Sequence, residues 1–372
     1  MREELEKFQI LKPLSAHRQI SEQLRQEILQ GKFAPGARLP NASDLAEVWG
    51  VSSFTVHNAL VALVKEGLLF RRPGAGTFVA EKLRKLTCVA VYFGRNISTA
   101  PATLIYHHLH HALCKKLGDQ QIAVQAFIDS RPEDSQTEPY EPLLRAIENN
   151  EVQGLICLFF NQFDIVGLKK LPIPTVFYSR LKIPNKVTYD MRQFFEVSLE
   201  QLRSQGCRSV GLISAVTPSR DGKNYAPFSS EFLTLAPRYG LETRDEWIHA
   251  PQTELAGEQM EQFGYDRFQK LWSGSSRPDG LIVWPDVLAR GVAWAIGEGR
   301  VSVPEELRVV FHRNEKMKFL CPFPASWMEL SISDTADALI QQIQTQFEGK
   351  QAEPISIPFR LVKASKIKKA KL

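Results

Sequence analysis

The sequence predicts an α/β chain in two parts: a small winged helical head, then a larger body of mostly parallel sheet. Three observations predict it. Between Leu39 and Val79 two short helical patterns are joined by a tight turn and followed by a β-hairpin. From Thr87 onward, short apolar runs alternate with helical periods, the grammar of parallel sheets covered on both faces. At 372 residues the chain is also too long for one ordinary domain.

The head opens on a short amphipathic segment, Leu5 to Leu11, readable equally as a loose arm. A first helix follows, capped near Ser15 and ended by Gly31. Its Ile20, Leu24 and Ile28, at spacing four, pack beneath the later helices. Phe33-Ala34-Pro35-Gly36 orders Pro and Gly as a type II turn requires. The second helix runs from Ser43 to Trp49, with Leu45, Ala46 and Trp49 on one face and Gly50 where a left-handed backbone is needed. Ser52 is a natural N-cap for a third helix, in which Val56, Ala59, Leu60 and Leu63 recur at i, i+3, i+4 and i+7. Gly67 closes it. Leu68-Leu69-Phe70 and Thr77-Phe78-Val79 read as two strands around a turn, Arg71 to Gly76. Together these make a winged helix-turn-helix. Its third helix is of a size to enter a major groove, while the wing tip can lie on phosphates or in the minor groove.

In the body, strands are expected at 88–93, 122–127, 154–158, 174–178, 210–214, 280–283 and 307–311. Helices are expected at 104–117, 143–149, 195–205, 264–272, 287–298 and 334–348. Asp190 reads as an N-cap. The basic stretch Lys82-Leu83-Arg84-Lys85-Leu86 lies in the connector. The expected domain bounds are 1–80 for the head, 81–86 for the linker, 87–365 for the body and 366–372 for a basic tail.

Composition narrows the class. Hydrophobic residues at 44% and charged residues at 23% describe a soluble globular protein. No apolar run approaches the roughly 20 residues that span a bilayer, and the acidic start lacks a signal peptide's basic and apolar regions. Five scattered cysteines without a C-x-x-C pair favour reduced thiols in a cytoplasm over disulfides or zinc. The net charge of +5 is mild, but it is concentrated. Residues 1–85 carry about +4 and the last dozen about +5, so phosphate-binding charge sits at the two ends.

Residues 15–80 resemble the DNA-binding domain of the GntR family of bacterial transcription regulators. The match runs in one order through Gln19-Ile20, Leu24-Arg25, Gly31, Pro35-Gly36, Leu39-Pro40, Leu45-Ala46, Val51-Ser52, Thr55-Val56, Ala59-Leu60, Glu66-Gly67-Leu68 and Gly76-Thr77-Phe78-Val79. Residues 87–365 resemble, more loosely, the effector-binding domain of the LacI family. That resemblance rests on Val152 to Ile156, Ile173 to Val176, Val187 to Asp190, Gly206 to Ile213, Arg277 to Ile282 and Val303 to Val310. It implies the two-lobed fold of periplasmic sugar-binding proteins, and a GntR head on such a sensor resembles arabinose-responsive repressors.

Departures from both patterns shape the expected sites. Where GntR heads usually carry arginine, this chain has Ser43, Ser53 and His57. Each missing arginine removes a charged phosphate contact or a bidentate reader of guanine, the latter about 1–3 kcal/mol of discrimination. An unusual, more weakly bound operator is therefore expected. The candidate DNA contacts are Ser52, Ser53, Thr55, His57 and Asn58 on the third helix, with Arg71, Arg72, Gly76 and Thr77 on the wing. A solvated helix position for Thr55 and a solvated turn for the two arginines are the plainer readings. In the sensor the expected sugar-binding arginine is missing, though Arg220 lies in the preceding loop, and the Asp-rich strand end is replaced by His312-Arg313-Asn314. Candidate ligand contacts are Tyr92, Asn161, Arg180, Phe228, Trp284, Asp286 and Arg313. The ligand reads as a sugar, an anionic metabolite drawn by Arg313 and Arg180, or nothing. His107 and His111 stand one turn apart, as a metal pair requires, but no carboxylate or cysteine neighbours them at ligand spacing, so a solvated cluster is the default.

No nucleophile elbow, Walker loop or dinucleotide fingerprint is present, so neither an enzyme nor a cofactor is expected. The expectation is a cytoplasmic homodimer, not bound to membrane, that reads a palindrome in double-stranded DNA under control of a small molecule. The alternative is a constitutive DNA-binding protein whose degenerate sensor serves only dimerisation.

Overall fold

The computed structural model describes residues 16–29, 32–80, 85–94, 104–131, 136, 138–160, 164–218, 225–227, 229–253, 255, 257–317 and 319–363. The arm at Leu5–Leu11, the cap at Ser15, Gly31, Arg220 and the tail 366–372 lie outside them. Two compact units divide between Lys85 and Leu86.

The first unit holds α1 (Ala16–Leu29), α2 (Ala42–Trp49), α3 (Ser53–Lys65), β1 (Leu69–Arg72) and β2 (Gly76–Val79). Its core is Leu24, Ile28, Leu39, Leu45, Ala46, Val56, Leu60, Leu63, Leu68, Leu69 and Val79, which includes three of the four residues of the third helix's expected stripe. The fourth, Ala59, is fully buried as well. Ala34 to Ala37 forms the expected turn, with Gly36 at φ +77° and the Ala37 N–H donating to the Ala34 carbonyl at 3.0 Å. Gly50 at φ +64° ends α2, a backbone that favours glycine. The wing differs from expectation in one respect. Arg71 and Arg72 belong to β1, opposite Thr77 and Gly76, and the turn shrinks to Pro73-Gly74-Ala75.

The second unit contains two parallel-sheet lobes. The first lobe has β3 (Cys88–Phe93), α4 (Leu104–Gly118), β4 (Ala123–Ile128), α5 (Glu141–Glu148), β5 (Gly154–Phe159), α6 (Asp164–Leu168), β6 (Thr175–Tyr178) and β7 (Lys186–Tyr189). The chain then enters the second lobe through α7 (Met191–Ser204), β8 (Val210–Ser214), β9 (Val216–Pro218), β10 (Tyr225–Pro227), α8 (Ser229–Leu235), β11 (Ile248–His249), α9 (Gly257–Ser273), β12 (Gly280–Trp284), α10 (Asp286–Glu298), β13 (Arg308–Asn314) and β14 (Ser326–Leu330). It returns as α11 (Ile332–Phe347) and β15 (Ile355–Ile357), and crosses a last time into β16 (Phe359–Val362). The first sheet, ordered β15-β7-β6-β5-β3-β4, is parallel throughout. The second, β11-β8-β12-β13-β14-β16, is parallel except for its β14–β16 edge.

Three strand crossings therefore join the lobes, at Asp190, Ser331 and Pro358. Two of them are clipped together. The Asp190 N–H donates to the Ile357 carbonyl at 3.0 Å, and the Gln193 amide both donates to the Phe359 carbonyl (2.9 Å) and accepts from its N–H (3.0 Å). Asp190 caps α7 through the Gln193 N–H, as expected, and the helix starts four residues before the predicted Phe195. Helix α9 likewise begins at Gly257, seven residues before the predicted Gly264.

Candidate functional site

In the head, two caps set the angle between the helices of the reading motif. The Asn41 Oδ1 accepts from the N–H groups of Ser43 and Asp44 at 3.0 and 2.9 Å, starting α2. Ser52 starts α3: its Oγ accepts from the Thr55 N–H at 3.1 Å and lies 2.7 Å from the Thr55 hydroxyl. Ser52 and Thr55 are thus engaged with each other before any DNA is met. Ser53 and His57 are exposed and Asn58 is half-buried. Between them stands Phe54, which sequence reasoning passed over and which is 72% exposed.

On the wing, Arg71 and Arg72 differ in surroundings. Arg71 is exposed at the strand surface. The Arg72 guanidinium lies 5.2 and 5.3 Å from the Phe70 and Phe78 rings, themselves stacked at 5.5 Å. Gly76 has φ +115°, and a Cβ there would meet the Arg38 Nε at 3.0 Å, so its glycine serves the turn and the passage of Arg38. Thr77 is half-buried, and its carbonyl accepts from the Leu39 N–H at 2.8 Å. The Arg25 guanidinium ties α1 to the end of α3 by a fork onto Glu66, at 2.9 and 2.7 Å.

In the second unit, an aromatic seam joins the lobes at the carboxyl ends of their strands, where ligands settle in open parallel sheets. Tyr189, at the end of β7, reaches Trp284 and Phe359, each 6.0 Å away between ring centroids. Tyr178 lies 6.3 Å from Tyr189 on the first lobe. His312 lies 6.0 Å from Trp284 and 5.7 Å from Phe359 on the second. Burial pushes both tyrosine hydroxyls above their ordinary range. Ser214, Trp284 and His312 occupy one register row across β8, β12 and β13. The His312 Nδ1 accepts from the Asp286 N–H at 3.1 Å, which leaves the proton of the neutral ring on Nε2. That Nε2 and the Ser214 Oγ are buried with no hydrogen-bond partner among the described residues. Burial holds His312 near pKa 3, so the ring is neutral at physiological pH.

The expected ligand contacts separate into groups. Trp284 is in the seam, and Arg180 lies at its edge, 5.9 Å over the Tyr189 ring. Asp286 is buried beneath, its carboxylate accepting from Asn314 at 3.3 Å and its pKa raised by desolvation. Two of the expected residues are engaged within the protein. Tyr92 is 1% exposed in the first lobe's core, its hydroxyl donating to Asp129 at 2.9 Å. Arg313 pairs with Glu329 at 2.8 Å and lies over Trp327, because alternation along β13 turns it to the opposite face from His312. It is therefore not a free cation for an anionic ligand. Asn161 and Phe228 lie outside the described residues. On α4, His110 is half-buried against Phe93, with its pKa lowered by burial and then by His107 and His111. No group of three potential metal ligands is found among the described residues.

Residues 16–79 match the model of bacterial regulatory proteins, gntR family, and residues 199–363 that of the periplasmic binding protein-like domain. The chain joins a GntR-type head to a periplasmic-binding-protein-like domain. The HTH-type transcriptional repressor NagR of Bacillus subtilis is 45% identical over 69 residues, 18% of this chain and 28% of that relative. The arabinose metabolism transcriptional repressor of Halalkalibacterium halodurans is 23% identical over 316 residues, 78% of each. A periplasmic binding protein/LacI transcriptional regulator from Alkaliphilus metalliredigens, solved in complex with D-xylulofuranose, superposes with a TM-score of 0.54 at 15% identity, covering 75% of this chain and 98% of that one. The chain spans between 28% and 66% of the length of the first relatives it matches. Within the GntR-type head, Ser43, Ser53 and His57 are all exposed, so the arginines expected there are replaced at surface positions.

Proposed function

We propose that this chain is a DNA-binding transcription repressor whose operator affinity is set by a small molecule, a sugar, held between the lobes of its second domain. The observation that carries this is the union in one chain of a capped reading helix with a two-lobed sensor clipped at its crossings. A homodimer in the cytoplasm would present two heads to the halves of a palindrome, since two-fold protein symmetry matches two-fold operator symmetry. Ser53, His57 and Asn58 read base edges, while Arg71, with Arg72 and Thr77, positions the wing on phosphates.

The seam suits a sugar. Trp284 and Tyr189 supply faces for C–H stacking, while the His312 Nε2–H donor and the Ser214 hydroxyl lack partners on the same row. A xylulofuranose-bound structural neighbour and an arabinose-metabolism relative support the same class. Ligand that binds one lobe arrangement better than the other shifts the population by that difference and releases DNA. No catalytic step is assigned to any residue.

Fluorescence anisotropy of genomic fragments with the purified chain, in the presence and absence of pentoses and hexoses, tests the reading. Binding at low salt that one sugar reverses is the expected result. Tighter DNA binding with sugar would reverse the sign of regulation. Absence of calorimetric heat with every sugar tried would sink the sensor assignment.

A further inference from the structure

The face that the third helix turns outward carries one residue that polar groove-reading does not explain. Among the described phenylalanines, Phe54 alone is exposed, at 72%. Its place on the helix is not arbitrary. Val56, Ala59, Leu60 and Leu63 fill the head's core. At about 100° per residue, Phe54 then stands nearly opposite that stripe, beside His57 and Asn58 at i+3 and i+4. It is the second residue of α3, and amino-terminal residues of a recognition helix are the ones that meet base edges. The helix offers no arginine and a single lysine, Lys65 in its last turn, so guanine cannot be read here by a bidentate fork. What the major groove presents to an apolar ring is the C5-methyl group of thymine.

We propose that Phe54 is a specificity-determining residue that packs on thymine methyl groups in the major groove. The inference rests on the DNA-binding reading above. Burying one methyl against the ring corresponds to about a fourfold gain in affinity per half-site, and about fifteenfold for two half-sites that add.

The test starts with the full chain selecting duplexes from a random pool. Single thymines of the selected sequence are then replaced by deoxyuridine, which removes the methyl and keeps the pairing. The expected result is one or two positions per half-site where the replacement weakens the wild-type chain about fourfold and leaves Phe54→Ala unaffected. Phe54→Leu should retain part of the discrimination. Equal loss on thymine and uracil duplexes with both chains overturns the proposal, as does a Phe54→Ala chain that selects the same sequence with unchanged affinity. No enrichment by the wild-type chain overturns the DNA-binding reading and this proposal with it, and so separates the two failures. Circular dichroism of the Phe54→Ala chain should match the wild type, since the ring contributes nothing to the core.

Discussion

Helices α9 and α10 approach each other more closely than side chains allow, and Gly291→Ala tests that approach. A Cβ at Gly291 would fall 1.9 Å from the Glu261 carbonyl oxygen and 2.9 Å from the Tyr265 nitrogen, all backbone atoms that cannot rotate aside. At Gly264, in return, a Cβ would meet the Leu288 carbonyl oxygen at 2.4 Å. Relieving the first clash requires the helices to part by about 1 Å, enough to forfeit a quarter to a half of the dispersion across the seam. Overpacking of this kind costs about 1–3 kcal/mol, here near the top of the range, while alanine returns about 1 kcal/mol of helix propensity. The net loss is about 2 kcal/mol, or a fall of about 4–8 °C in the sensor domain's Tm. Gly264→Ala should lose less. The double variant should lose less than the sum, because one displacement relieves both clashes. Calorimetry of the full chain, with the head's transition as internal reference, reads all three. A Gly291→Ala chain as stable as the wild type would refute the close approach.

Other outcomes follow from the same geometry. Ser52→Ala removes the cap of α3 and should lower the head's stability by about 1 kcal/mol, while Ser52→Asp restores most of it; urea unfolding followed by helical ellipticity checks both. His312 and His249 are held near pKa 3 and 4 by burial, against about 6.5 unfolded. The unfolded chain therefore binds more protons, and sensor stability should fall as pH drops from about 6.5 toward 3. His312→Gln, which keeps an acceptor for the Asp286 N–H but does not titrate, should flatten that fall in urea midpoints measured across the range. On the wing, Arg71→Ala should reduce the salt slope of DNA binding by about 0.9 for each phosphate that the arginine neutralises. Arg72→Ala should in addition lower the head's Tm, since its guanidinium covers Phe70 and Phe78. Anisotropy titrations between about 50 and 200 mM salt read the slopes, and thermal melts of the head distinguish the two variants.

The head was legible almost residue by residue because its determinants are local. Ser52, Gly50, Gly36 and the four-residue apolar stripe of α3 each impose a backbone geometry on their immediate neighbours. The sensor's central strands were legible for a related reason. Val210 to Ile213 is a continuous apolar run, as a strand buried on both faces must be. The strands β7, β11, β15 and β16, the last three at sheet edges, were not, being short and partly polar, with pairing supplied by distant segments. The same distance hid the seam. Tyr178, Tyr189, His312 and Ser214 share no spacing; they meet only because parallel strands end on one side of each sheet. Arg313 misled for the opposite reason, since its neighbour His312 turns inward and the one-residue step along β13 sends the arginine to Glu329. Phe54 was hidden because a helix that lacks its usual arginines draws the eye to charge, and an exposed ring announces itself only once burial is known.

The triple passage between the lobes also dictates an order of events at the ribosome. The first lobe's sheet needs β15 at its edge and α11 with Leu339, Ile340 and Ile343 on its face, yet both are made after the whole of the second lobe's parallel core. At about 5–20 residues per second, roughly 140 residues separate Tyr189 from α11, a delay of roughly 7–28 s. Nascent chains must therefore hold an uncovered half-sheet for that interval, while the head, whose elements all lie between Ala16 and Val79, is already fully synthesised.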